Sequence, residues 1–375
     1  MHTAETDEEK GLPSTDVIVV NYGKGWIYRC LSSIANSQYP SSRLEIVVVD
    51  NASNNDELRL IERTFPRVKL LKLEKNIGYS AAVNVGAERS AGDYIAVLNN
   101  DVIVSSDCLA ELVNVLERDA TVGAVCPRKK SVYFSQMLDG CGGAFNILGQ
   151  AWDRGQYETD TGQYCELDEV INPPGAIFLT RRKLMNKFGF LLNPDFFMIL
   201  DDLDFGLRCW KAGYRVLYSP TCVAYHARGP ALGGLSEREN IYFNTRNLLA
   251  SMFETFEPFF FVRLFPILIT TQMTQALYLL LFHRKSGAMS LAFKGVVDFL
   301  LGLRVYARRR GKIRMLSSKS DNIILAHLSP SFAVFEESKD HKTLVWMFIS
   351  LVNLYIKLIL RVQPIKDIVY IHKTP

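Results

Sequence analysis

The stretch Tyr94-Ile95-Ala96-Val97-Leu98-Asn99-Asn100-Asp101 decides how the rest of the chain is read. Five apolar residues in succession fit a strand buried on both faces, as in a parallel sheet with helices packed on each side. Asn-Asn-Asp closes the run and leaves a carboxylate at the strand's carboxyl end, where open α/β sheets bind ligands. The same pattern recurs upstream. Asp16 to Asn21 and Glu45 to Asp50 read as buried strands around Val17-Ile18-Val19-Val20 and Ile46-Val47-Val48-Val49, and Val68 to Leu73 as a third. Between them, Trp26 to Ser37, Asp56 to Thr64 and Tyr79 to Arg89 read as helices. The fold class that follows is α/β, a mostly parallel sheet with helices on both faces.

A second acidic cluster, Asp201-Asp202-Leu203-Asp204, follows Phe196-Phe197-Met198-Ile199-Leu200 and opens an amphipathic stretch from Phe205 to Tyr214. Carboxylates at a helix start are favoured by the unpaired N–H groups and the helix dipole. Leu203, Leu207 and Trp210 form the core face of that helix, and the three acids cannot all point the same way. Asp202 is either a base within reach of a hydroxyl or one charge of an idle helix start. Asp101 is either a turn residue or the ligand of Mg²⁺ or Mn²⁺, which in phosphate sites need only one or two protein carboxylates. His226 is a third ligand or a structural histidine.

Asp50-Asn51-Ala52-Ser53 ends the second strand, so Asp50 is either a turn residue or an acceptor for a ribose or base edge. Asn76-Ile77-Gly78 opens a helix on which Ala82 and Gly86 leave one face nearly bare. A helix-interior glycine costs about 1 kcal/mol against alanine. Something must approach Gly86 closely, either the sheet or a nucleotide.

Net charge is +4 over 375 residues, but unevenly spread. Residues 1–250 hold 26 Lys+Arg against 31 Asp+Glu, and residues 251–375 hold 17 against 8. The seven cysteines are scattered without a C-x-x-C pair, which indicates reduced thiols and neither a disulfide framework nor a zinc site. Glu5, Asp7, Glu8 and Glu9 lack the basic flank and apolar core of a signal peptide, so residues 1–13 read as a disordered acidic tail. Residues 14–250 read as the α/β domain. Within it, residues 139–169 are rich in Gly, Gln, Asp and Tyr, indicating hairpins or an adaptable loop over a cleft. Gly175 to Thr180 reads as the final core strand.

Residues 251–375 read as an apolar and basic helical region. Leu264 to Phe282 carries no formal charge, yet Thr270, Thr271, Gln272, Thr274 and Gln275 interrupt it, and Lys357 interrupts Leu344 to Leu360. Arg304, Arg308, Arg309, Arg310, Lys312, Arg314 and Lys319 lie between them. A single span would put this cluster across the membrane from the α/β domain, against the positive-inside tendency. Two helices at the membrane interface satisfy the pattern, and so do two core helices of a soluble appendage.

The ordered set Val19-Val20-Asn21-Tyr22, Val49-Asp50-Asn51-Ala52-Ser53, Asn76-Ile77-Gly78, Asn84-Val85-Gly86, Leu98-Asn99-Asn100-Asp101 and Phe196-Phe197-Met198 to Asp201-Asp202-Leu203-Asp204 resembles family 2 glycosyltransferases. Its nearest subgroup is the rhamnosyltransferase-like enzymes of surface polysaccharide assembly. Trp210 to Val216, His226 and Arg246-Asn247 continue the pattern. The resemblance covers residues 14–250 and implies a GT-A fold, Rossmann-like, with a nucleotide-diphosphate sugar donor, a divalent cation and inversion at the anomeric carbon. It places donor binding at Asn21, Asp50, Asn51, Ser53, Asn76, Gly78, Asn84, Asn99 and Asn100. It makes Asp101, with His226, the metal ligand of a DxD-like motif. Asp202 becomes the base, with Asp201 and Asp204 beside it and Gly175, Ala176 and Asp201 on the acceptor side. Asn99 stands at the first DxD position, and Asp201 where relatives often carry Glu.

The implied acceptor is a glycan, lipid-linked, met at the cytosolic membrane surface by a cytoplasmic, peripherally associated protein; nucleic acid is not an expected partner. Two other readings remain. A sugar-phosphate nucleotidyltransferase would carry a Gly-rich Arg/Lys loop near the N-terminus, and Gly23-Lys24-Gly25 is short for one. A non-catalytic nucleotide- or glycan-binding scaffold has no need of acids at 50, 101 and 202 together.

Overall fold

A computed structural model of the chain describes residues 12–23, 25–53, 57–228, 237–335 and 342–371. Most of the expected acidic tail and Lys24 lie outside the described residues.

The N-terminal half alternates strands and helices: β1 (Thr15–Asn21), α1 (Ile27–Ala35), β2 (Leu44–Asp50), α2 (Glu57–Thr64), β3 (Lys69–Lys72), α3 (Tyr79–Glu88) and β4 (Tyr94–Asn99). It continues through β5 (Val102–Val104), α4 (Cys108–Arg118) and β6 (Val122–Ser131). Short strands follow in the Gly-rich region: β7 (Leu138–Gly140), β8 (Gly143–Phe145), β9 (Ala151–Asp153) and β10 (Asp168–Glu169). Then come β11 (Ile177–Arg181), α5 (Arg182–Phe188), α6 (Asp201–Lys211) and β12 (Arg215–His226). The C-terminal region holds α7 (Glu237–Thr255), α8 (Pro258–Phe282), α9 (Ala288–Leu316), α10 (Asn322–Ala326), β13 (Ser331–Phe335), α11 (Lys342–Tyr355), a π-turn (Ile356–Leu360) and β14 (Asp367–Ile371).

The main sheet runs β10-β12-β6-β11-β4-β1-β2-β3, with β5 on β12 and β7 on β6. Strands β3, β2, β1 and β4 are parallel, as the sequence predicts, and β11 enters antiparallel between β4 and β6. β11 is not the final core strand, because β12 follows and pairs parallel with β6. Its sequence hides it. The pairing breaks between Ser219 and Val223, and Pro220 sits in that irregularity, a position where a strand tolerates proline.

Alternation along β1 explains the layers. Val17 and Val19 face a core shared with α1 and α4, whereas Ile18 and Val20 face one shared with α3, α6 and the C-terminal helices. α1 buries Ile27, Cys30, Leu31 and Ile34, the i, i+3, i+4, i+7 stripe of a helix packed on one side. The second core continues through Leu248, Phe261, Phe299 and Tyr306 to Ile349 and Ile365, so the C-terminal region packs into the sheet's own core. The polar interruption in α8 has a structural cause: Thr271 and Gln272 are buried, and the Gln272 side-chain oxygen accepts from Asn244 at 3.0 Å. Its opposite face exposes Phe259, Val262, Leu277 and Leu281. α8, and α11 with the π-turn, are long and apolar enough to cross a membrane by length and composition.

Candidate active site

The carboxyl ends of β1, β2 and β4 open into a cavity of about 490 Å³. Tyr22, Asn51, Asn76, Asn99, Asn100 and Asp101 line one side; Gly175, Ala176, Asp201 and Asp202 line the other. The two acidic clusters of the sequence therefore face one space.

At the β1–β2 end, the Asn21 side chain donates to Asp50 at 2.9 Å and accepts from Asn100 at 3.0 Å. Ser53 donates to the same carboxylate, and Asn51 donates to Asn76 at 2.9 Å. These polar groups are fixed by one another at the strand ends, with Asn51 and Asn76 turned to the cavity and Asn21 and Asp50 behind them.

Asp101 and His226 meet because β5 pairs antiparallel with the end of β12, setting His226 opposite Val102. His226 Nε2 lies 3.2 Å from Asp101 Oδ1, and its Nδ1 lies 2.9 Å from Asp139 Oδ2. Burial opposes protonation of the ring, but the hydrogen bonds to Asp101 and Asp139 outweigh it and hold the His226 pKa above its usual value. Asp139 is itself buried, and Lys129 and Arg228 overcome that burial to keep it well below the ordinary carboxylate range. Lys129 bridges Asp139 at 3.6 Å and Asp153 at 2.9 Å, and Arg228 contacts the same two acids. Lys129, Asp153, Tyr157 and Arg228 all line the cavity. Neighbouring ligands of an octahedral ion, at bond lengths of about 2.0–2.1 Å, sit about 3 Å apart, so the Asp101–His226 spacing fits a shared Mg²⁺ or Mn²⁺.

Opposite them, Asp202 Oδ2 accepts from the Gly175 backbone N–H at 2.8 Å, and its other oxygen accepts from Leu203 N–H at 2.7 Å. Burial first, then the charges of Asp201 and Asp153, push its pKa up to about 7. Asp201 is buried, accepts from Ser80 at 3.1 Å, and is raised chiefly by burial. Asp204 is not brought to the cavity: it points to the other side of α6 and pairs with Arg208 at 2.8 Å, both fully buried. The preceding turn is strained, with Ile199 at φ 73° and Leu200 at φ 62°, conformations that cost a β-branched residue most. Asn247 of α7 holds it, donating to the carbonyls of Met198 and Ile199, each at 2.8 Å.

Two other sequence expectations resolve differently. Asn84 is no cavity residue; its amide is spent on the backbone of Leu191 and Leu192. Gly78 answers to protein: a Cβ there would stand 2.6 Å from the Phe197 carbonyl oxygen. Gly86 packs on the sheet, where a Cβ would meet Ile18 at 2.5 Å. The sequence reading missed Lys129, Asp139, Asp153, Arg228 and Tyr79. Tyr79 donates to the Gly175 carbonyl at 3.1 Å, and burial beside Asp201 and Asp202 keeps its phenol protonated.

A parallel half, β3-β2-β1-β4, joined to a mixed half in which β11 runs antiparallel, is the GT-A arrangement. The fold is shared with GalNAc-T7, crystallised with UDP, GalNAc and Mn²⁺, at a TM-score of 0.52 and 18% identity over 67% of this chain and 51% of that one. Residues 16–188 match the family model described as Glycosyl transferase family 2. Among curated relatives, an N-acetylglucosaminyltransferase of Rhizobium leguminosarum bv. phaseoli is 39% identical over 108 residues, 27% of this chain and 25% of that protein. An N-acetylglucosaminyl-diphospho-decaprenol L-rhamnosyltransferase of Mycobacterium tuberculosis is 28% identical over 240 residues, 58% of this chain and 77% of that protein. The chain thus spans only a quarter of the Rhizobium protein's length.

Proposed function

We propose that the chain is an inverting glycosyltransferase, moving a sugar from a nucleotide-diphosphate donor to a hydroxyl of a glycan acceptor. The observation that carries this reading is the single cavity in which Asp101 and His226 face Asp202. A nucleotidyltransferase needs no base on the acceptor side, and a scaffold has no use for an ionisable group poised near neutrality.

Asn51 and Asn76, backed by Asn21 and Asp50, hold the nucleoside at the strand ends. Asp101 and His226 would hold Mg²⁺ or Mn²⁺, which when bound would supply positive charge against the diphosphate of the donor. Asp202 takes the proton of the acceptor hydroxyl while that oxygen attacks the anomeric carbon and the bond to the diphosphate breaks on the opposite face. Gly175 N–H keeps the carboxylate aimed. The mycobacterial relative's name points to a lipid-linked acceptor, and the exposed apolar faces of α8 and α11 support a site at the cytosolic membrane surface. The test is release of nucleoside diphosphate from a panel of nucleotide sugars with Mn²⁺. Turnover by wild type and its loss in Asp202→Asn are expected; no release from any donor removes the reading.

A further inference from the structure

A second cavity, of about 350 Å³, lies against the first, and Asp153 of β9 lines both. Trp152, the preceding residue of that strand, faces the second cavity together with Arg154, Glu158, Tyr164, Glu169 and His327. Its far wall comes from the C-terminal region, and that wall is built in. Ser329 N–H donates to the Phe145 carbonyl at 2.7 Å, Asn146 donates to the Ser331 carbonyl at 2.9 Å, and Gln150 donates to the Ala333 carbonyl at 2.9 Å. His327 stacks on Trp210 with ring centroids 3.9 Å apart. The hairpin β8–β9 is thus a partition between the catalytic cavity and a pocket that the C-terminal region closes.

The lining decides the ligand class. Its arginine is already paired, Arg154 with Asp168 at 2.6 Å, and the His327 ring is hydrogen-bonded to Glu169 at 2.8 Å. A diphosphate entering here would meet Glu158 and Glu169 with no uncommitted cation among the described lining residues, so a second nucleotide is disfavoured. No group of three metal-ligating side chains occurs among the described residues either. What the pocket offers is aromatic surface, Trp152 and Tyr164, beside carboxylate oxygens and a guanidinium. The Trp152 indole N–H has no hydrogen-bond partner among the described residues. Such a surface suits a neutral, polyhydroxylated ring, whose C–H face lies on an aromatic plane while its hydroxyls donate to carboxylates.

We propose that this pocket is a carbohydrate subsite that holds the part of the acceptor glycan next to the reacting residue. The glycan crosses the partition at Asp153, with the attacking sugar beside Asp202 and its neighbour over Trp152. The inference rests on the glycosyltransferase reading, and the experiment separates the two. The full chain is applied to an array of neutral di- to tetrasaccharides, and donor hydrolysis is measured in parallel by nucleoside diphosphate release without acceptor.

Wild type and Asp202→Asn should retain a common set of oligosaccharides. Trp152→Ala should lose about tenfold or more of that affinity while donor hydrolysis stays at the wild-type rate. Trp152→Phe, which keeps an aromatic face, should restore retention, a rescue that a merely structural role would not give. Trp152 is partly exposed, so the alanine variant is expected to fold. Wild type that hydrolyses a donor but retains no glycan overturns the subsite, as does unaltered retention by Trp152→Ala. Absence of donor hydrolysis, with glycan retained through Trp152, overturns the transferase reading instead.

Discussion

His226 Nε2 and Asp101 Oδ1 stand 3.2 Å apart at the ends of strands that lie far apart in the sequence. An imidazole whose Nδ1 is engaged by Asp139 presents Nε2 in a fixed direction, as metal-ligating histidines do. Asp101→Asn should therefore weaken Mn²⁺-dependent binding of a nucleoside diphosphate by about tenfold or more, equivalent to about 1.4 kcal/mol. His226→Ala should do the same, while metal-free nucleotide binding changes little in either variant. Calorimetry with and without Mn²⁺ makes the comparison, and equal metal dependence in Asp101→Asn and wild type would take Asp101 out of the site.

Asp202 should show two opposite effects when its charge is removed. Transfer by Asp202→Asn should fall by roughly 10²–10⁴-fold with donor affinity retained, the usual weight of a positioned base. Stability should move the other way. A carboxyl raised to about 7 binds its proton more tightly in the folded state, so stability falls as pH rises from the unfolded value towards 7. Asp202→Asn removes that loss, so its Tm in the absence of metal and donor should exceed wild type at pH 8 and match it below pH 4. Transfer by wild type should decline as pH drops below about 7. A dead Asp201→Asn alongside an active Asp202→Asn would reverse the assignment within the pair.

The limits of what the sequence disclosed follow from range. Asp101 and Asp202 were legible because each ends a local pattern, a buried strand or the start of an amphipathic helix. Asp139, Lys129, Asp153 and Arg228 were not, because they meet only through the pairing of β6 with β7 and β12 and through the β8–β9 hairpin. Asn84 was misassigned because its neighbours mark the right helix, and nothing local says that its amide turns to Leu191 and Leu192. Asp204 sits two residues from Asp202, and helical geometry sends it to the opposite side, to Arg208.

Asn247 should matter for transfer although it touches no reacting atom. It is fully buried and donates to the Met198 and Ile199 carbonyls of the turn, whose left-handed Ile199 and Leu200 would otherwise relax. Asn247→Ala leaves two carbonyls without a donor, at a cost of about 1–3 kcal/mol each if they stay buried. The expected outcome is a lower denaturation midpoint and slower transfer, with nucleoside diphosphate affinity near wild type because Asp50 and Asn51 lie on other elements. Wild-type transfer in a destabilised Asn247→Ala would show that the turn does not position Asp202.

Membrane association is the last expectation, and the structure changes how it must be tested. Arg309 and Arg310 are not free to meet lipid: Arg309 holds Asn193 at 2.6 Å and Asp195 at 2.5 Å, and Arg310 donates to the Phe256 carbonyl at 2.5 Å. Truncation at residue 250 would open the core shared with α8 and α9, so the full chain is the right probe. Arg304, Arg308, Lys312, Arg314 and Lys319 are exposed, Arg314 being paired with Glu257 at 3.2 Å, and the exposed apolar stripe on α11 and the π-turn is Leu344, Met347, Leu351, Leu354 and Leu358. Near an anionic leaflet each cation contributes about 1 kcal/mol of salt-screened attraction, and the apolar stripe adds a part that salt does not remove. The chain should therefore sediment with anionic vesicles, be partly released by high salt and fully by detergent. Replacing Arg304, Arg308 and Lys312 with Gln should ease release by salt, and Leu351→Glu should abolish the salt-resistant fraction, with donor hydrolysis unchanged in both. A chain that ignores anionic vesicles at low salt would make these helices a packed appendage and remove the main support for a lipid-linked acceptor.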